Sequence, residues 1–192
     1  MYVKSTGKRV GQGDILEKVI YSYPIFQADQ VTVAKITLPY AVVLTQDCDL
    51  ESDFNCRLGS SKKNPSNDKF LQSILVCPAY LAEQFRCGTH LEPIGLKMNT
   101  WTSEQWKSIK QNQNQRFHFL GADLALKMQD LVIDFKNYYT ITRDEIYKDY
   151  SELYLVSLDI LFREALSQRF AYFLSRIGLP TLKEPNHADE NT

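Results

Sequence analysis

The sequence has no long hydrophobic run and no excess of either charge. Within its 192 residues, no apolar stretch approaches the roughly 20 residues that a membrane-spanning helix needs. The first nine residues lack the apolar core of a secretory signal. The 22 Lys and Arg nearly balance the 23 Asp and Glu, so the formal net charge is −1. These absences predict a cytoplasmic protein without membrane contact, and they leave only a local basic patch for binding nucleic acid.

Cysteine is also scarce, with four residues at positions 48, 56, 77 and 87. Hydrophobic residues make up 44% of the chain, which is enough for a core that does not depend on disulfides. A chain of this length without a secretory signal favours free thiols or a metal site over a disulfide framework. Cys77 stands inside an apolar run and is predicted to be a core residue.

The hydrophobic pattern predicts an α+β fold. Strand patterns cover residues 14–26, 30–36, 40–45, 71–80 and 131–141. Helix patterns cover residues 81–85, 103–113, 142–149 and 157–177, and the last ends at Gly178 and Pro180. We expect one domain over residues 1–182, β-rich over 1–80 and helix-rich over 81–182, with a flexible tail over 183–192. The expected architecture is a bent N-terminal β-sheet with the C-terminal helices packed on it.

The last predicted helix carries arginines on its apolar side. Leu161, Leu166 and Phe170 belong to this apolar arc, and Arg169 and Arg176 project into it. A guanidinium is costly to bury unless a carboxylate or several carbonyl groups meet it. Arg169 therefore either anchors an acidic cluster or a bound anion, or it extends its head group to water.

Four residues could form a zinc site. Cys87 and His90 have the C-x-x-H spacing of a tetrahedral half-site, and Cys48 and Cys56 could supply the other half. The seven residues between Cys48 and Cys56 are unusual for such a site. We expect no cofactor, with zinc as the open alternative.

The segment 44–51, Leu-Thr-Gln-Asp-Cys-Asp-Leu-Glu, places reactive groups directly after a predicted buried strand. One interpretation is a catalytic pocket in which Cys48 attacks a substrate with His90 or His118 as base, with Asp47, Asp49 and Arg169 as further candidates. The flanking aspartates disfavour the thiolate. The other interpretation is structural, with Asp47 and Asp49 capping turns or pairing with Arg169 and Arg116.

A polar stretch over residues 57–69 carries several basic residues. Arg57, Lys62 and Lys63 are the candidate binding residues of this predicted loop. They would contact a partner protein or nucleic acid. The alternative is a solvated loop without a partner.

Three short segments carry a resemblance to a known family. Residues 13–16 (Gly-Asp-Ile-Leu), 39–45 (Pro-Tyr-Ala-Val-Val-Leu-Thr) and 74–78 (Ile-Leu-Val-Cys-Pro) occur in the order of three strands of PemK/MazF-type toxins. The first eighty residues thus resemble that family's SH3-like barrel, which implies such a barrel here. Leu38 stands where the family has its catalytic arginine, and Ala79 follows the proline where it has Ser or Thr. The resemblance therefore implies a barrel without ribonuclease activity.

The whole chain is also similar to uncharacterised bacterial proteins of this size. The shared segments are residues 45–49, 116–118 and 168–180. We expect a non-catalytic binding module that acts with a partner protein or nucleic acid, in a bacterial defence or toxin-related system. The alternatives are a hydrolase with a polar pocket around Cys48 and a zinc-stabilised domain.

Overall fold

One antiparallel sheet organises the chain. The computed structural model describes residues 1–5, 7–28, 30–58 and 67–176. Its strands are β1 (Tyr2–Val3), β2 (Asp14–Gln27), β3 (Gln30–Val43), β4 (Ser73–Leu81), β5 (Phe117–Leu120), β6 (Leu131–Asp134), β7 (Tyr139–Thr142) and β8 (Tyr154–Leu158). Its helices are α1 (Asp47–Arg57), α2 (Ala82–Cys87), α3 (Ser103–Lys110), α4 (Arg143–Leu153) and α5 (Ile160–Leu174), and short 3₁₀ turns cover Asn67–Lys69 and Glu92–Ile94.

The strand order shows that both halves of the sequence contribute strands to one sheet. The sheet runs β1-β8-β2-β3-β4-β6-β5, with β7 on another part of β4, and every pairing is antiparallel. The sheet curls into a half-barrel, which confirms the predicted α+β class and the bent sheet. Residues 81–176 supply α2–α5 and also β5–β8. None of the described helices is long and apolar enough to span a membrane.

Alternating side chains give the sheet a core on each face. Ile15 and Val42 point to the side covered by α5, together with Leu166 and Phe170 of that helix. Their neighbours Leu16, Ala41 and Val43 point to the opposite side, where α1 and α4 pack. A third cluster joins α2 and α3 to β5 and β6, and it contains Phe85, Trp106, Ile109, Phe117 and Val132. The period of two along β2 and β3 thus places helices on both faces.

Strands β2 and β3 form a long hairpin that extends beyond the rest of the sheet. They pair from Ile15–Val42 to Gln27–Gln30, with one interruption at Lys18 and Pro39. In the described part of the chain, only the root of the hairpin pairs with other strands, β8 over residues 14–16 and β4 over residues 40–43. Lys18 has a φ of 54°, and it stands opposite Pro39, which has no N–H to donate. This break in the ladder separates the root from the distal part, residues 19–27 and 30–38, which we call the arm.

The predicted helix over 157–177 is wrong at its start. Residues 154–158 form β8 instead, because Ser157 and Leu158 pair with β1 while Tyr154, Val156 and Ser157 pair with β2. Asp159 then caps α5 by accepting a hydrogen bond from the N–H of Ile160. The predicted apolar arc is confirmed at Leu166 and Phe170, which are buried, but it is wrong at Leu161, which is 76% exposed. Residues 177–180, which include the predicted helix end, lie outside the described residues.

Other local predictions have mixed outcomes. The capping box of Thr102 and Gln105 is confirmed at the start of α3. Thr142 donates to the Glu145 carboxylate rather than accepting a backbone N–H. The predicted strand over 131–141 divides into β6 and β7. The polar segment after β3 begins a helix, because Asp47 and Asp49 in its first turn suit the positive end of the helix dipole.

Candidate binding cleft

Asp47, Cys48 and Asp49 lie in the first turn of α1. Cys48 is exposed, and its Sγ contacts Gln46 Oε1 at 3.7 Å and Asp49 Oδ1 at 3.8 Å. Asp47 accepts two hydrogen bonds from Arg9, at 3.0 and 3.2 Å. Burial acts to raise the pKa of Asp47, but the hydrogen bonds from Arg9 and from the N–H of Gln12, together with the charges of Arg9 and Arg163, outweigh it and hold that pKa below its usual value. Asp47 is therefore an ionised anchor for the N-terminal segment.

The neighbouring carboxylate, Asp14, belongs to a buried network. It accepts hydrogen bonds from Gly11 N at 2.6 Å, Tyr150 OH at 2.7 Å and Ser157 Oγ at 2.6 Å. Burial raises the pKa of Asp14 despite these donors. The network joins β2, α4 and β8. The protein itself therefore supplies the hydrogen-bond donors that satisfy the Asp14 carboxylate.

The predicted pairing of Asp47 with Arg169 or Arg116 is wrong. Asp47 pairs with Arg9 and, at 3.5 Å, with Arg163. Arg116 pairs instead with Asp134. Arg9 and Arg163 lie near Asp47 through contacts between distant elements, which no local spacing in the sequence indicates.

His118 and Arg169 lie together, on β5 and α5. Arg169 donates hydrogen bonds to the carbonyl oxygens of Asn112, Asn114 and Phe117. These hydrogen bonds compensate for the cost of burying its guanidinium. His118 is 6% exposed, and burial, with a smaller effect of Arg169, lowers its pKa to about 3. No hydrogen bond within the described residues links Cys48 to His118 or His90. The catalytic interpretation stays a prediction without a supporting contact.

The four candidate zinc ligands are not gathered together. Cys48 is exposed and Cys56 is buried, both on α1, while Cys87 ends α2 and is exposed. The His90 ring packs against Tyr80 and Phe85, with centroid distances of 4.8 and 4.6 Å. In the part of the chain that the structure describes, no group of three or more His, Cys, Asp or Glu side chains could hold a metal ion. Zinc binding therefore stays a prediction. Cys77 is confirmed as a buried core residue.

Arg57 at the start of the predicted basic loop has partners in the fold. It donates to Asp53 Oδ1 at 2.7 Å and to Leu71 O at 3.0 Å, and its guanidinium stacks over Phe70. Lys62 and Lys63 lie outside the described residues. Their predicted binding role stays a prediction.

A cleft of about 580 Å³ opens at the root of the arm. Its walls are β3, the start of α2, the loop that follows α2 and the turn between β6 and β7. The apolar part of the wall contains Ile36, Leu38, Leu91, Ile94, Leu96 and Met98. This volume lies within the range of small-molecule binding sites, which are concave and mostly apolar.

The loop after α2 is held in place by its own backbone. Gly88 ends α2 with a φ of 75°, and its carbonyl accepts a hydrogen bond from Met98 N at 3.1 Å. A Cβ at Gly88 would collide with the carbonyl oxygen of Met98. Glycine at this position thus allows the two ends of the 88–98 loop to meet, which shapes one wall of the cleft.

The polar lining of the cleft carries positive charge. Lys18, Arg116 and Lys136 line it, and none of the lining residues in the described chain is Asp or Glu. Arg116 is held by Asp134, whereas neither lysine has an ion pair among the described residues. A concave wall of low dielectric strengthens the field of these charges inside the cleft.

His90 leaves an unpaired polar atom beside the cleft. The residue lines the cleft and is 8% exposed, and its buried Nδ1 has no hydrogen-bond partner among the residues that the structure describes. Burial lowers the pKa of His90, so the ring is neutral at pH 7. Buried polar groups are nearly always satisfied, so an unpaired Nδ1 beside the cleft is unusual. Sequence reasoning gave His90 either as a zinc ligand or as a base for Cys48, and it missed Lys18 and Lys136 as binding residues.

The sequence matches no protein-family model and no curated protein. The resemblance to the PemK/MazF-type barrel therefore stays a prediction. What can be said of function rests on the geometry of the cleft.

Proposed function

We propose that the protein is a non-catalytic binding module whose cleft takes a ligand with an apolar body and an anionic end. One observation carries this proposal: a largely apolar cleft of about 580 Å³ is lined by three cationic side chains and, among the described residues, by no carboxylate. The apolar wall would supply most of the affinity. Lys18 and Lys136 would bind the anionic end.

The cleft is ordered before any ligand arrives, which supports binding. Asp134 fixes Arg116 through two hydrogen bonds of 2.7 Å and holds Asn137 through one of 2.8 Å. Both held residues line the cleft. Side chains that are already immobilised lose little entropy on binding, so more of the interaction energy appears as affinity.

The curled half-barrel agrees with the proposal of an SH3-like barrel that lacks catalytic groups. Leu38 and Ala79 stand where the resembling toxin family has catalytic residues, and both are buried apolar side chains. Leu38 also lines the cleft. The proposed module would thus use that region for binding, with a partner protein, a nucleic-acid strand or a small molecule as the source of the anion.

A matched pair of probes tests the proposal. Calorimetric titration with 2-naphthoate and with its uncharged amide compares the same aromatic body with and without the negative charge. We expect the carboxylate to bind more tightly, and we expect Lys136→Ala and Lys18→Ala each to weaken it about two- to five-fold, as loss of one partly exposed charge contact implies. Lys107→Ala on α3, outside the lining, is the control. Equal binding of both probes, or equal affinity of all variants, would refute the proposal.

Competition separates the sources of the anion. A short single-stranded oligonucleotide that displaces 2-naphthoate would identify nucleic acid as the natural partner. Displacement by an acidic peptide with apolar side chains, and not by the oligonucleotide, would identify a protein partner. Failure of both would assign the cleft to a small molecule.

A further inference from the structure

An open edge of β3 forms one wall of the cleft. β4 pairs with β3 only over residues 40–43, and no other described strand pairs with that edge. Residues 36–39, just beyond the paired part, all line the cleft. Successive side chains of a strand point to opposite faces, so a cavity lined by consecutive residues meets the strand at its edge. The cleft therefore begins where the sheet lacks a strand.

Hydrogen bonds at the end of β3 show which way its backbone groups point. Val43 O accepts from Gly13 N on the β2 side, and Leu44 N donates to Leu75 O on the β4 side. In a strand, the N–H and C=O of one residue point to the same side, and those of the next residue point to the other. Odd-numbered residues of β3 therefore direct these groups to β2, and even-numbered residues direct them to the opposite edge.

Ile36 and Leu38 are the even-numbered residues at the cleft. Apart from the pairing of their strand with β2, no hydrogen bond among the described residues reaches the backbone of either. Pro39 is odd-numbered, so its missing N–H takes a donor from the β2 side and none from the cleft. Leu38 is only 3% exposed, and buried backbone groups without a partner are rare. The wall of the cleft thus carries donors and acceptors with the spacing of a strand.

A peptide backbone is the ligand that such an edge recognises. An extended peptide can add a strand to an open sheet edge, where main-chain hydrogen bonds give affinity and alternate side chains enter pockets. Residues 36–39 extend over about 13 Å, which accommodates about four residues of an added strand. Gln84 and Asn137 also line the cleft, and their amide groups can meet the other edge of that strand.

The charges of the lining fit a peptide that carries a carboxylate. Lys18, Arg116 and Lys136 are the charged residues among the described lining, and all are cationic. A nucleic-acid strand has no ladder of N–H and C=O groups to pair with β3, and its repeated phosphates need a longer row of cations.

We propose that the cleft binds an extended peptide as an added strand on β3. Its backbone pairs with Ile36 and Leu38, its apolar side chains contact the 88–98 loop, and its carboxylate lies near Lys18 and Lys136. This inference rests on the proposed function of the cleft and names the class of its ligand.

A library of short acetylated peptides tests the proposal. Its variable positions carry Val, Leu, Ile, Phe or Tyr. In one half of the library the carboxylate is an Asp side chain ahead of an amidated end, and in the other half it is a free C-terminus. Peptides that the natural chain retains are identified by mass spectrometry. We expect retained peptides to displace 2-naphthoate, and the half that supplies them identifies the source of the carboxylate.

The tightest peptide is then methylated at one backbone nitrogen at a time. Alternate N–H groups of an added strand point to β3, so methylation should weaken binding about five-fold or more at every second position and little at the positions between. Ile36→Pro removes an N–H from the cleft wall. It should weaken peptide binding more than Ile36→Ala does, provided that circular dichroism shows both variants folded.

Methylation effects without this alternation would overturn the added strand. So would retention of no peptide, or retention of a short single-stranded oligonucleotide in place of any peptide. These results leave the proposed function intact, because that function is tested by 2-naphthoate against its amide. Equal binding of those two probes would refute the proposed function, whereas the methylation pattern would still decide whether β3 takes an added strand.

Discussion

Both carboxylate oxygens of Asp134 accept a hydrogen bond of 2.7 Å from the guanidinium of Arg116. This pairing raises the pKa of Arg116 and holds its charge in one place at the cleft. The same carboxylate accepts hydrogen bonds from Lys136 N at 3.1 Å and from Asn137 Nδ2 at 2.8 Å. One buried acid thus positions three residues of the cleft wall, one before β5 and two in the turn after β6.

Replacing this acid should affect both stability and binding. Asp134→Asn keeps the shape of the side chain but removes the charge that Arg116 faces. Because Asp134 is buried while Arg116 is partly exposed, we expect a loss of about 2 kcal/mol in the free energy of unfolding. We also expect weaker binding of 2-naphthoate. Urea unfolding and calorimetry measure the two effects.

Asp53 offers a matched control. It is buried and accepts hydrogen bonds from Arg57, Arg143 and the N–H of Leu71, each between 2.7 and 3.0 Å. It does not line the cleft. Asp53→Asn should therefore cost similar stability and leave the affinity for 2-naphthoate unchanged. Equal loss of affinity in both variants would show that Asp134 acts only through overall stability.

His118 should make the fold sensitive to acid. The unfolded chain takes up a proton on this residue near pH 6.5, whereas the folded protein takes it up only near pH 3. Acid therefore favours the unfolded state across this window, and stability is lost as pH falls. From pH 7 to pH 5 the loss due to His118 should be about 2 kcal/mol.

Urea unfolding at several pH values, with the natural chain and His118→Gln, isolates this contribution. The difference between the two free energies of unfolding should change between pH 7 and pH 5, because all other titrating groups cancel. His90, whose pKa is also lowered by burial, is one of those groups. A difference that does not depend on pH would mean that His118 is accessible to water in the folded protein.

Alanine substitutions at Gly88 and Gly95 distinguish the cost of backbone strain from the cost of a steric collision. Both have positive φ, 75° and 78°. A Cβ at Gly88 meets the backbone of Met98, whereas a Cβ at Gly95 meets nothing within 4 Å. Gly95→Ala should cost about 1 kcal/mol from backbone strain alone, and Gly88→Ala distinctly more. Thermal unfolding measures both, and equal costs would contradict the close approach of the 88–98 loop ends.

The thiols provide a direct test of the zinc prediction. Cys48 and Cys87 are exposed, so both should react quickly with a thiol reagent, while Cys56 and Cys77 should react only on unfolding. Elemental mass spectrometry of the purified protein and of Cys87→Ser measures bound metal. About one zinc per chain, lost in the variant together with protection of Cys48, would establish the site. Two fast thiols and no metal would reject it.

Local patterns in the sequence identified much of the sheet but little of the cleft. The apolar runs around Ile15, Val42 and Val76 predicted β2, β3 and β4, because buried strands show themselves in a few consecutive residues. The start of α5 was predicted too early. Residues 154–158 form a strand because they pair with β1 and β2, and no local pattern in the sequence shows these pairings. Lys18 and Lys136 come together through tertiary contacts, and their spacing of more than one hundred residues carries no signal.

The pairing of β2 with β8 also bears on how the chain is made. Asp14 meets Ser157, 143 residues later in the sequence. At a synthesis rate of roughly 5–20 residues per second, the edge of β2 waits on the order of 10 s or longer for its partner strand. During that time the nascent chain presents an open, apolar strand edge. Its central sheet therefore closes only after β8 has been synthesised, and chaperones have most to protect before that point.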